Sequence, residues 1–129
     1  MATINNTSAF PNQPLVEVYK TAELDALSSG DVIEMITVPS GFRVVSLTIR
    51  YTNDDGSTGG TFEVGDGVDD DRFVTSQSIA SGASVTYTGN TASANGYLYP
   101  AVDTIDITLG STPGAGDVSL TVQGYFNFS

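Results

Sequence analysis

The chain contains no cysteine, no histidine and no tryptophan, and only four basic residues: Lys20, Arg43, Arg50 and Arg72. Each absence removes a class of function. Without cysteine there are no disulfides, thiolate metal sites or thiol nucleophiles. Without histidine the commonest general base and metal ligand is missing. A serine nucleophile would have to use Lys20 as its base, and no spacing pairs the two. Carboxylate-pair chemistry stays open, because acids are plentiful, yet sugar-cleaving sites usually add aromatic platforms and there is no tryptophan. The sequence reads as a protein that is not an enzyme and needs no cofactor.

Fifteen acidic residues against the four basic ones leave a formal net charge of −11. Nucleic-acid binding depends on Lys and Arg displacing counterions from phosphates, so no nucleic-acid partner is expected. An anionic membrane surface would repel the chain for the same reason. Residues 1–14 are polar and lack the basic cluster and apolar run of a signal peptide, so synthesis in the cytoplasm is expected, and the overlapping sequons at Asn5 and Asn6 read as chance. No stretch approaches the length of a membrane span. A length of 129 residues fits one domain that can bury roughly two-thirds of the surface of its unfolded chain.

What the sequence does have is alternation. Over residues 42–52, Val45, Leu47, Ile49 and Tyr51 face one way and Ser46, Thr48 and Arg50 the other, the period of a half-buried strand. This strand runs into Asn53-Asp54-Asp55-Gly56-Ser57-Thr58-Gly59-Gly60, residues that tolerate turn conformations. The pattern recurs over 104–109 and at the end of the chain, where Val118, Leu120, Val122, Phe126 and Phe128 share a face with Tyr125 opposite. Further strands are expected over 15–20, 32–38, 61–64, 73–79, 84–88 and 97–99. About nine short strands separated by frequent turn signals predict an all-β, antiparallel β-sandwich, jelly-roll-like. One short helix is expected near residues 21–29, with Thr21 as cap, Glu23 in the first turn, Leu24 and Leu27 three apart, and Gly30 as the stop. Residues 1–14, with Pro11 and Pro14, are expected to form an extended N-terminal arm, and 15–129 a single sandwich domain.

Three features are candidates for a site. The run Gly65-Asp66-Gly67-Val68-Asp69-Asp70-Asp71-Arg72 could offer Ca²⁺ the carboxylates of Asp66, Asp69, Asp70 and Asp71. Its spacing is not that of an EF-hand, and the plainer reading is a solvated turn in which Arg72 offsets repulsion. Tyr97 and Tyr99 flank Leu98 and so share a face; they form either a stacking platform or interface patch, or a core edge whose hydroxyls reach the rim. Tyr125, with aromatic residues on both faces of its strand, is a candidate for contact with another subunit. Phe10, Pro11 and Pro14 of the arm are interface candidates of the same kind, as a segment that orders on a neighbouring sheet edge.

The stretch Gly65-Asp66-Gly67-Val68-Asp69-Asp70-Asp71-Arg72-Phe73, followed by the run from Gly96-Tyr97-Leu98-Tyr99 through Asp103-Thr104-Ile105-Asp106 to Leu109-Gly110, resembles small structural proteins of tailed bacteriophages. Gly30-Asp31-Val32-Ile33 and Val38-Pro39-Ser40-Gly41 are similar to the opening strands of the same group, so the resemblance spans about residues 31–126. It is nearest to head decoration (cement) proteins. It implies a virion component on the outer surface of the head that binds the major capsid protein and self-associates as a homotrimer. The alternative it leaves open is a tail, collar or head-fibre module recognising host surface carbohydrate.

Overall fold

The computed structural model describes residues 2–4, 16–53, 59–88, 96–113 and 115–126. The arm candidates Phe10, Pro11 and Pro14 lie outside these described residues, as does Phe128. Nine strands follow one another: β1 (Val16–Glu23), β2 (Val32–Val38), β3 (Phe42–Asn53), β4 (Gly60–Asp66), β5 (Val74–Ile79), β6 (Ser84–Thr88), β7 (Tyr97–Leu98), β8 (Asp103–Leu109) and β9 (Gly116–Phe126).

All pairings are antiparallel, and they sort the strands into two sheets. The first, sheet A, has the order β1-β9-β3-β6, and the second, sheet B, the order β2-β8-β4-β5. β7 pairs with β3 at Arg43 and Val44, while β6 pairs with β3 over Ser46–Arg50. Because β9 occupies the other side of β3, β6 and β7 are two halves of one interrupted fourth strand. Each sheet is then four strands wide. The chain changes sheet at every link except β4 to β5 and β6 to β7, which is the jelly-roll arrangement.

Alternation fills the space between the sheets. Leu47, Ile49 and Tyr51 of β3 and Val118, Leu120 and Val122 of β9 meet Phe62 and Val64 of β4 and Ile105, Ile107 and Leu109 of β8, all essentially without solvent exposure. Tyr51 shows how such a core takes a polar atom. Its hydroxyl donates to the Pro113 carbonyl at 2.8 Å and accepts from the Asn53 side-chain amide at 2.8 Å, so the Tyr51 hydroxyl is satisfied although it is buried.

Two expectations need correcting. No helix forms over residues 21–29: β1 continues to Glu23, with Thr21, Ala22 and Glu23 in register with Ser119, Val118 and Asp117 of β9. A helix of under three turns would have drawn its stability from packing, and the β9 ladder offers those same residues backbone partners. Leu24 then plugs the core at 0% exposure, and the chain reverses through a turn closed by Leu27 N–H donating to Leu24 O at 3.2 Å. The second correction concerns Val45. The β3–β9 register passes from Val44↔Gly124 to Ser46↔Gln123, so Val45 is the extra residue of a bulge. Val44, not Val45, enters the core at 0% exposure; beyond the bulge, Leu47, Ile49 and Tyr51 point inward as expected.

Candidate functional site

Phe62, Val64 and Asp66 share the inward face of β4, so the last of the three delivers a carboxylate to the end of the core, where Asp66 is 3% exposed. Its oxygens are fully engaged. Arg72 Nε donates to Oδ2 at 2.6 Å and the Tyr99 hydroxyl donates to the same oxygen at 2.9 Å, while the Val68 and Asp69 N–H groups donate to Oδ1 at 3.0 and 2.9 Å. Burial alone would raise the carboxyl's pKa; the Arg72 and Asp69 bonds, helped by Tyr99 and Val68, outweigh it and hold Asp66 below the usual carboxylate range. Burial and the Asp66 charge push the Tyr99 hydroxyl far up, so it stays a donor. The Arg72 guanidinium lies 3.9 Å from the centre of the Tyr97 ring, and Tyr97 packs edge-on against Tyr99 at 4.9 Å. The structure thus brings the acidic turn and the tyrosine pair, distant in sequence, into one buried knot.

The remaining acids of the turn point outward. The carboxylates of Asp69, Asp70 and Asp71 lie within 4.8 Å of one another. Asp66 is the one calcium candidate facing inward, and Arg72 already neutralises it. The loop folds back onto the outside of sheet B at Gly65, where an added Cβ would fall 2.1 Å from Asp69 O; only glycine admits so close a backbone. Beside it on that outer face lie Glu63 of β4, Asp106 of β8 and Glu34 of β2, the last two in direct register. Burial and neighbouring carboxylates act on two of these acids. Burial, then Asp70 and Asp71, raise the Glu63 carboxyl. Burial likewise raises Asp106 against the pull of Thr104, with Glu34 and Asp103 adding to the rise. Asp71 is raised first by its hydrogen bond with Asp69 and then by desolvation.

The opposite side of the molecule differs in kind. Across the outer face of sheet A, the register aligns Tyr19, Thr121, Thr48 and Thr86 in one row, and Glu17, Gln123 and Ser46 in the next. Hydroxyl and amide contacts run along each row: Thr48 to Thr86 at 3.0 Å in the first, and Ser46 to Gln123 at 3.0 Å and Gln123 to Glu17 at 2.8 Å in the second. Tyr125 is half-buried on this face, in register with Arg43. The strands of sheet A carry Glu17, Glu23 and Asp117 against Lys20, Arg43 and Arg50; those of sheet B carry Glu34, Glu63, Asp66, Asp103 and Asp106 and no cation. The negative charge of the described strands is therefore concentrated on one sheet.

Sequence reasoning placed Arg72 near the acids but missed its specific partner, because inward-facing Asp66 looked like one turn aspartate among four. It also missed Glu34, Glu63 and Asp106 as one surface. Strand parity marks each as outward-facing, but their adjacency depends on a strand order that a sequence does not display.

No protein-family model matches the chain, and no curated protein does. Solved structures do. A chain of the capsid asymmetric unit of cyanophage Pam1 superposes with a TM-score of 0.74 at 16% identity, covering 97% of this chain and 94% of that one. A chain from the capsid of Ralstonia phage GP4 gives 0.69 at 16% identity, covering 96% and 92%. A chain from the acid-stable capsid structure of Helicobacter pylori bacteriophage KHP30 gives 0.61 at 13% identity, covering 90% and 94%. At these identities the likeness is one of fold. It extends over nearly the full length of both chains in every case.

Proposed function

We propose that this protein is a structural component of a phage virion that decorates the outer surface of the head, binds the major capsid protein there and stabilises the shell as a homotrimer. The observation that carries the reading is the near end-to-end match to three phage-capsid chains, each about as long as this one, together with the independent resemblance in the sequence. A cement protein needs a stiff body and adhesive surfaces, and a jelly roll whose polar groups are mostly spent on bonding itself together supplies the first.

Charge sets the orientation. Bringing sheet B's outer face against a surface without matching cations would strip water from Glu34, Glu63 and the Asp69–Asp71 cluster and leave them unpaired, a costly step. The outer face of sheet A, rich in hydroxyls and balanced in charge, carries no such penalty and is the face we assign to the shell. Symmetric assembly then multiplies modest contacts, since linked sites hold far better than one.

Heads lacking the protein, mixed with the purified chain, test this directly. Binding is expected in hundreds of copies per particle on a stained gel, with a rise in the temperature at which heads release DNA. Thr48→Glu should weaken binding and Glu34→Lys should not. Binding in only a handful of copies, or heads equally heat-resistant with and without the protein, would refute the decoration role.

A further inference from the structure

The cations of this chain are few enough to follow one by one, and all four lie within the described residues. Arg72 is bonded to the buried Asp66. Arg43 is half-buried and donates to the Gly96 carbonyl at 3.4 Å. Lys20 is in register with the inward-facing Leu120, so it leaves β1 on the side opposite the outer face of sheet A. Arg50 remains. It stands between the buried Ile49 and Tyr51 of β3, points outward, is exposed, and makes no ion pair among the described residues. In a chain of net charge −11, it is the cation that this face presents to a partner.

Other donors gather beside it. Thr21, Ser119, Arg50 and Ser84 form one row across the sheet, and Tyr19 heads the next. Tyr19 is 64% exposed, and Thr21 Oγ1 donates to its hydroxyl oxygen at 2.9 Å, drawing that hydroxyl toward the row of Arg50. The Thr21 hydroxyl and then that of Ser119 hold Tyr19 below the ordinary tyrosine range, and Arg50 adds to the fall. An oxygen that accepts from its own sheet has its single proton left to give elsewhere. Glu23 and Asp117 face each other in the row on the far side of Arg50. Neighbouring rows of this face are therefore opposite in sign.

We propose that Arg50 and the Tyr19 hydroxyl receive an Asp or Glu carboxylate from the surface of the shell subunit. The inference rests on the orientation assigned above, in which this face meets the shell. Charge complementarity selects the ligand: a carboxylate accepts through two oxygens, matched by a planar guanidinium and a hydroxyl donor. A partner cation finds its place one row away, against Glu23 and Asp117. A docked surface shifted by one row would set like charges against each other, so the contact fixes register as well as adding hold. Thr21 and Ser119 are positioning residues that aim the Tyr19 hydroxyl.

Binding to heads that lack the protein tests this, with urea unfolding to verify that each variant is folded. Arg50→Gln and Tyr19→Phe are each expected to weaken binding at least about fivefold, as for a hydrogen-bonded charge pair that loses one partner. Lys20→Gln removes the same unit of charge from the other side of β1 and should change binding less than about twofold. Raising the salt from about 0.05 to about 0.5 M should weaken the wild type more than Arg50→Gln. Arg50→Gln and Tyr19→Phe binding like the wild type, while Thr48→Glu weakens binding, would overturn the inference and leave the orientation standing. Equal losses from Arg50→Gln and Lys20→Gln would overturn it too, as an effect of net charge alone. A wild-type chain that does not bind heads at all would overturn both.

Discussion

A single carboxylate, Asp66, joins four strands' worth of sequence. It ends β4, caps the N–H groups of the loop that follows, holds Arg72 and receives the hydroxyl of Tyr99 from beyond β7. With the carboxylate side chain 1% and Arg72 15% exposed, loss of the charge leaves a largely buried guanidinium unpaired. Asp66→Asn is expected to cost about 3 kcal/mol, the lower end for breaking a buried pair because Arg72 keeps some access to water. Tyr99→Phe removes one hydrogen bond to a charged acceptor and should cost about 2 kcal/mol. The two act on one network, so the double variant should lose less than the sum. Urea unfolding of the three variants measures this, and strict additivity would mean that the network does not exist. The residues of this knot were legible singly, as turn acids, a nearby cation and a same-face tyrosine pair. Their union was not, because only tertiary structure brings Asp66 to Tyr99 across 33 positions.

At the level of strands, the register of β3 decides which valine belongs to the core. Simple alternation predicts Val45 inside; the bulge makes it Val44. Val44→Ala should therefore cost about 2 kcal/mol, as for a fully buried aliphatic side chain, and Val45→Ala less than about 1 kcal/mol. The reverse order in chemical denaturation would place the bulge elsewhere. Most of the strands were readable from period two alone, since a half-buried strand imprints its two environments directly on the sequence. What period two cannot register is an inserted residue, whose cause is the partner strand. The false helix at 21–29 fails for the same kind of reason. Its cap, acid and stop residues satisfy helix chemistry locally, but β9 outcompetes it for Thr21, Ala22 and Glu23. That the order of the strands escaped the sequence altogether follows from the long-range pairing that sets it.

For the molecule as a whole, four acids pull stability in opposite directions with pH. Asp66 is held below the ordinary carboxylate range, so its contribution is complete at neutral pH and is lost as the pH falls through and below about 4. Glu63, Asp71 and Asp106 are raised, so the folded chain binds more protons than the unfolded one at mildly acidic pH. Their burden on the fold is relieved as the pH falls from neutrality through their raised pKa values. Stability should therefore peak between about pH 4 and 6 and decline on both sides. Urea midpoints measured from pH 3 to 8 test the sign; a midpoint that climbs steadily from pH 4.5 to 8 would show that the outer face of sheet B carries no net strain.

Sheet A has its ninth strand wedged between the first and the third. A ribosome that has produced every residue as far as Gly110 has thus made both neighbours of the missing piece but not the piece itself, and Val18, Leu47 and Ile49 must wait with their apolar faces bare. Sheet A therefore cannot close until Phe126 has cleared the exit tunnel. Nascent chains stalled ahead of residue 116 should be digested by protease as readily as an unfolded polypeptide, whereas chains tethered well beyond the last strand should resist.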